Sequence, residues 1–284
     1  MKKHILIKGR KLSFDDIGPR DGKPVFYFHG VPSASAEWHM WGDESLLNKT
    51  GVRLIAIDRP GVGDSAFQTG RRLSDWPADV VALAGTLDFE RFSVLGYSGG
   101  GPYAAVCAAM IPERLNSVGM VSSLASFDHQ ELLVGIAPGN VQFLNLSIQK
   151  PLLFQFIYWQ IGLLAKFAPQ KYLENALKTF DAADREAFIR PQVHQALFAA
   201  AGSPRGQQWD TRLILSPWDF RLEDIQMPVH LWQGDQDHNA SPAMGRYLEQ
   251  AIPNSRMTFM AGEGHISLMV KHAATILETL VQAG

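Results

Sequence analysis

Arg91-Phe92-Ser93-Val94-Leu95-Gly96-Tyr97-Ser98-Gly99-Gly100 is the stretch whose reading decides the fold. An apolar run leads in, and a small-residue segment, Gly101 to Met110, leads out. The pattern predicts a strand, a very sharp turn and a helix, with Ser98 at the apex. Glycines two before and two after the serine leave room for backbone that side chains would block. Such a turn lifts the hydroxyl clear of the sheet and aims the first amides of the new helix at the same spot. The chemical use of that arrangement is a nucleophile with an anion site beside it. In a chain with 25 glycines the pattern alone is weak, so the context has to decide between a nucleophile and a solvated serine on a turn.

Working outward, strand and helix signals alternate. His4–Lys8 and Leu12–Ile17 read as an opening hairpin. Val25–Phe28 and Val52–Ile57 read as buried strands, and Ala34–Asn48 and Ser74–Leu87 as helices. Ser117–Val121 is a further strand. Continuous apolar strands between helices predict a mostly parallel sheet covered on both faces. From Ser126 to Asp224 the pattern is helical only. Alternation then resumes with Val229–Trp232 (strand), Pro242–Ala251 (helix), Met257–Met260 (strand) and Ile266–Val281 (helix). The chain therefore divides into a first core part at 1–125, a helical cap at 126–225 and a second core part at 226–284. A helical insert in an open α/β sheet lies over the carboxyl ends of the strands, where such sheets bind ligands.

A nucleophilic serine needs a base, and the base needs an acid to hold its tautomer. His265, in Gly262-Glu263-Gly264-His265, follows the last strand and directly precedes a helix, so it can reach across the top of the sheet. The other histidines compare poorly: His129 and His194 lie in the insert, His230 in mid-strand, His272 within a helix, and His4 and His39 far from this edge. The acid is Asp235 or Asp237. Asp237 sits further into its loop and is favoured; Asp235, next to the strand end, could instead brace the loop. The loop after Ser122 offers no competing acid.

The order Ser98, Asp237, His265 over successive strand ends resembles the α/β-hydrolase family, in particular its capped, esterase-like serine hydrolases. Four segments carry the resemblance: His29-Gly30-Val31-Pro32, Asp58-Arg59-Pro60-Gly61-Val62-Gly63-Asp64-Ser65, Gly96-Tyr97-Ser98-Gly99-Gly100, and the Asp237 and His265 loops. It implies an eight-stranded-type sheet with the cap after the sixth strand, and an oxyanion hole at the backbone amides of Val31 and Gly99. Pro32 has no amide to donate, which agrees with Val31 as donor. His29 is expected to order its loop and not to move protons. Serine at position 98 argues against the aspartate-nucleophile branch. The absence of Asp and Glu between Leu132 and Leu173 argues against the peptidase branch, which holds a substrate amine.

The implied activity is hydrolysis of a small apolar ester without a cofactor or metal. C–C bond, lactone and amide hydrolysis, perhydrolysis, and a slow-turnover ligand receptor are the alternatives on the same scaffold. A rival motif, Gly61-Val62-Gly63-Asp64-Ser65-Ala66, matches a dinucleotide fingerprint, but no helix signal opens on its glycines. Leu152-Leu153-Phe154-Gln155-Phe156-Ile157-Tyr158-Trp159 reads either as packing between cap and core or as a greasy wall above Ser98. The 284 residues are 46% hydrophobic and 19% charged, with a formal net charge of −2, which gives no case for a nucleic-acid partner. The lone cysteine, Cys107, cannot form an internal disulfide and is expected to be buried. No apolar run reaches the roughly 18 residues of a membrane span, and none near the start has signal-peptide length, so a cytoplasmic location is expected.

Overall fold

The computed structural model describes every residue except Met1, His129, Asp181 and Gly284, together with all but the side chain of Gln130. Eight strands form one sheet: β1 (Lys3–Ile7), β2 (Arg10–Ile17), β3 (Lys23–Phe28), β4 (Val52–Ile57), β5 (Phe92–Tyr97), β6 (Leu115–Val121), β7 (Val229–Gly234) and β8 (Ser255–Met260). Their spatial order is β1-β2-β4-β3-β5-β6-β7-β8. β2 is antiparallel to both β1 and β4, and every other pairing is parallel. The mostly parallel sheet expected from the alternation is therefore present, with the antiparallel hairpin at one edge.

The central strands β3 to β7 are largely apolar because both faces are covered, whereas β1 and β8 at the sheet edges are partly exposed. Within β3, Phe26 and Phe28 enter one core with Ile55, Ile57, Val94 and Met120. Val25 and Tyr27 enter the other with Leu54, Ala56, Leu95 and Tyr97. Successive strand side chains point to opposite faces, so one run of four apolar residues serves two cores.

The helices between the strands are α1 (Glu44–Thr50), α2 (Trp76–Thr86) and α3 (Gly101–Met110). Six more, α4 (Pro138–Gln149), α5 (Pro151–Phe167), α6 (Pro169–Thr179), α7 (Ala182–Phe188), α8 (Pro191–Ala200) and α9 (Pro204–Leu215), separate β6 from β7. α10 (Pro242–Ala251) and α11 (His265–Gln282) complete the fold. Five of the six inserted helices begin with proline, whose fixed φ suits the first helical position and whose missing N–H is not needed there. Among the described residues, no helix is long and apolar enough to cross a membrane.

One expected helix is broken. Ala34–Asn48 is a 3-10 turn at Ser35–Met40 followed by α1. The Asp43 carboxylate accepts from Leu46 N at 2.8 Å and starts the second segment afresh. A side chain that caps well competes with the backbone of a continuous helix.

Candidate active site

The segments that follow β3, β5, β6, β7 and β8 converge on one cavity of about 310 Å³. Ser98 follows β5 directly and adopts φ 53°, in the left-handed region that costs a non-glycine residue about 1–3 kcal/mol. The surrounding backbone enforces it. A Cβ placed on Gly100 would lie 1.9 Å from the carbonyl oxygen of Phe28, so the glycine after the turn lets the new helix start against β3. Ser98 is 5% exposed and lines the cavity.

His265 also lines the cavity. It is the first residue of α11, so the helix itself, more than a glycine-rich loop, fixes its position. Its Nδ1 lies 2.9 Å from Asp237 Oδ2. A carboxylate can only accept, so Nδ1 carries the hydrogen and Nε2 is left as the basic nitrogen. Asp237 is fully buried, and its Oδ1 accepts from Asn239 N at 2.9 Å and Ala240 N at 2.8 Å. Burial by itself would lower the pKa of His265. The charge and hydrogen bond of Asp237, then the charges of Asp184 and Glu37, outweigh it and leave the imidazole raised above its ordinary value. Asp235 does not reach the imidazole's position; its Oδ1 accepts from Gly262 N at 2.8 Å and ties the two loops together.

Val31, which lines the cavity, and Gly99 are close neighbours, since a Cβ on Gly99 would meet Val31 Cγ1 at 2.5 Å. The loop that carries Val31 is held from below. Arg59 donates to the carbonyl oxygens of His29 and Gly30, the latter at 2.8 Å. The Gly30 carbonyl and the Val31 N–H belong to one planar peptide and point opposite ways, so gripping the oxygen aims the N–H. His29 is buried and accepts from Arg59 N through Nε2, while Nδ1 faces the Gly30 oxygen at 2.8 Å. Burial, then the nearby Arg59 charge, pushes its pKa down, so its ring is a neutral brace. Arg59 in turn meets Asp210 of α9 at 2.7–2.8 Å, and Asp210 also accepts from Arg71 and from the Tyr103 hydroxyl. Burial would raise the Asp210 carboxyl, but the two arginines hold it well below the usual carboxylate range.

Several residues at the site were not singled out by the sequence. Glu37, on the 3-10 turn after β3, is buried and lines the cavity, with Oε2 accepting from Tyr27 Oη at 2.6 Å and Gly30 N at 2.7 Å. A Cβ on Gly30 would lie 2.9 Å from Glu37 Oε1 and 3.6 Å from Ser98 Oγ, so little more than a missing methyl separates the two. Burial raises the pKa of Glu37. Asp184 and Asp210 come from inserted helices, where a lone acid between helices gives no sign of which core group it meets.

The upper wall is formed by Phe143 and Leu144 of α4, Val193 and Leu197 of α8, and Phe180 between α6 and α7. Of the two readings of Leu152–Trp159, the greasy wall is not met, because none of those residues lines the cavity. Phe154 and Tyr158 are buried, and Phe154 stacks on Phe143 at 4.9 Å, so α5 backs the wall from behind. Its other face, with Leu152, Phe156 and Trp159, is exposed. The dinucleotide fingerprint fails as well, since no helix opens on Gly61-Val62-Gly63 and the buried Asp58 carboxylate accepts from Ser35 N and Asp64 N inside that turn. Cys107 is buried in α3. His129 lies outside the described residues.

Comparison with known proteins decides the family. The model of the alpha/beta hydrolase fold matches residues 23–272. The chain belongs to the α/β-hydrolase fold family. The hydrolase is 26% identical over 276 residues to a pimeloyl-[acyl-carrier protein] methyl ester esterase of Neisseria meningitidis, covering 92% of this chain and 94% of that protein. It is 37% identical over 120 residues to a non-heme chloroperoxidase of Streptomyces lividans, a match that spans 42% of that protein. Among solved structures, a bromoperoxidase from Bacillus anthracis superposes with a TM-score of 0.73 at 25% identity, covering 100% of the hydrolase and 99% of the other chain.

Proposed function

We propose that this hydrolase cleaves small apolar esters through Ser98, His265 and Asp237. The observation that carries the reading is the 2.9 Å contact between His265 Nδ1 and Asp237 Oδ2, at a cavity that Ser98 also lines. In this mechanism Ser98 Oγ attacks the ester carbonyl while His265 Nε2 takes its proton. The imidazolium that forms is stabilised by Asp237. The carbonyl oxygen becomes an oxyanion held by the amides of Val31 and Gly99, each worth about 3–4 kcal/mol of transition-state stabilisation. His265 then returns the proton to the departing alcohol oxygen, leaving an acyl-enzyme. Water, deprotonated by the same imidazole, attacks the acyl carbon and releases the acid and the free serine.

The apolar upper wall and the modest cavity favour a short, uncharged acyl or alcohol group. The full-length similarity to a methyl ester esterase supports an ester over an amide. In this reading residues 126–225 act as the cap that shapes the pocket.

The test is multiple-turnover kinetics on p-nitrophenyl esters of increasing chain length, together with labelling by a fluorophosphonate. Steady turnover that peaks at a short chain and is lost in Ser98→Ala is expected. A single burst without turnover would instead make the protein a slow ligand receptor, and full turnover in Ser98→Ala would overturn the mechanism.

A further inference from the structure

Asp184 lies in α7, inside the inserted helices, and is fully buried. Its carboxylate accepts three consecutive main-chain N–H groups at the start of α11: His265 N at 3.1 Å, Ile266 N at 2.9 Å and Ser267 N at 2.8 Å. The first turn of a helix leaves its N–H groups without intrahelical partners, and those groups are usually satisfied by a cap from the preceding residues. Here the preceding residue is Gly264, which has no side chain to offer, and the cap comes from a residue 81 positions earlier in the chain. The first of the capped amides belongs to the proposed base itself.

The contact is braced on both sides. Ala187 and Phe188 of α7 share a core with Ile266, Met269 and Val270 of α11, and Glu186 pairs with Lys271 at 3.3 Å. α7 is therefore docked along the helix that carries His265.

We propose that Asp184 is a positioning residue for His265, so that the insert completes the catalytic base as well as covering the pocket. The inference rests on the ester-hydrolase reading above. Asp184 acts through the main chain by fixing where α11 begins, and its negative charge lies beside the imidazole. The charged and titratable groups that face His265 are Asp237 from the loop after β7, Asp184 from α7, Glu37 from the turn after β3 and the buried Tyr97 of β5.

Asp184→Asn tests the assignment with little change in shape. One carboxylate oxygen, Oδ1, serves Ile266 and Ser267, and the other, Oδ2, serves His265. An asparagine keeps a single acceptor oxygen, and its amide nitrogen then opposes one of the N–H donors. Rates are expressed per active site by counting the p-nitrophenol burst, which removes any loss of folded protein. The expected result is a fall in kcat of about tenfold with KM changed less than about twofold, and an acid limb of the kcat/KM profile moved to lower pH, because a negative charge has been removed from beside the imidazole. Asp184→Ser, which keeps one short acceptor, should recover part of kcat without restoring the acid limb. Unchanged kcat per site and an unmoved acid limb in Asp184→Asn would overturn the proposal. With Ser98→Ala inactive in parallel, that outcome would leave the ester-hydrolase reading intact. Hydrogen exchange on the unaltered protein gives a second check that needs no variant. The amides of His265, Ile266 and Ser267 should exchange as slowly as those in the middle of α11, and exchange at loop rates would also overturn the proposal.

Discussion

The Tyr97 hydroxyl donates to the main-chain carbonyl of His265 at 3.0 Å, and the two rings stand 5.2 Å apart. The residue immediately before the proposed nucleophile thus grips the residue proposed as its base, across a sequence gap of 168 positions. Burial, then nearby carboxylates, keep the Tyr97 pKa well above its ordinary value, so the hydroxyl remains a donor at any pH where the enzyme would work. Tyr97→Phe should destabilise the fold by about 1 kcal/mol through the lost hydrogen bond, because the His265 carbonyl at the start of α11 keeps its intrahelical partner. It should also lower kcat severalfold, while KM for a short ester stays near its original value. Urea denaturation and steady-state kinetics check the two halves separately.

Activity should rise with pH as His265 loses its proton, with a midpoint above the ordinary histidine value of about 6.5. The sign for stability runs the other way. A raised folded-state pKa contributes stability that is full below the unfolded pKa and is lost as pH rises through the folded one. The base therefore becomes active over the window in which its charge stops stabilising the fold. Asp237→Asn should shift the acid limb downward and reduce kcat by about 10⁴, the cost of the wrong tautomer. A pH series of kcat/KM on both forms measures this.

Asp210 accepts from Arg59, Arg71 and Tyr103 in a fully buried cluster. Asp210→Ala would leave two guanidinium groups without their counter-charge and should cost about 3–5 kcal/mol. Its carboxyl pKa is depressed, so its contribution is present above the unfolded value of about 3.9 and is lost only as pH falls through the lower folded value. Denaturant midpoints at pH 7 and pH 4 should both show the loss in the variant.

A methyl at Gly99 would stand 2.5 Å from Val31 Cγ1, whereas one at Gly100 would stand 1.9 Å from the Phe28 carbonyl oxygen. The first clash includes Val31 Cβ at 2.9 Å, which rotation cannot relieve, so the Val31 loop has to shift; the second is with backbone in the sheet. Gly99→Ala should fold and lose about 10²-fold or more in kcat as the two proposed oxyanion donors, Val31 N and Gly99 N, move apart. Gly100→Ala should yield little folded protein. Circular dichroism and ester turnover on the two variants separate the cases.

Much of the sheet was legible because continuous apolar strands and a 3.6-residue period in helices are local signals. The bracing reading of Asp235 needed only its place beside the strand end, and its Oδ1 accepts from Gly262 N. The misreadings occur where the outcome depends on distant partners. Leu152–Trp159 is apolar almost throughout, and only the packing of α5 behind Phe143 shows which side faces protein and which faces solvent. The break within 34–48 is different in kind: it turns on a local cap, the Asp43 carboxylate on Leu46 N, that competes with a continuous helix. Glu37 and Asp184 were invisible for a further reason. A carboxylate in sequence is read as solvated, and its donors here are Tyr27 and Gly30 in one case and the amides of α11 in the other.

The Arg59–Asp210 pair joins the loop below Val31 to α9, the last of the inserted helices. Exchanging caps between homologues is a common way to seek new specificity, and this pair limits how it can be done here. A foreign segment spliced between β6 and β7 would strand Arg59 and Arg71 in the core unless it brought an aspartate at the position of Asp210. A chimera that keeps 182–215 of the recipient, and with it both Asp184 and Asp210, and replaces only the helices before it has a sound junction. One cut at the strand ends does not.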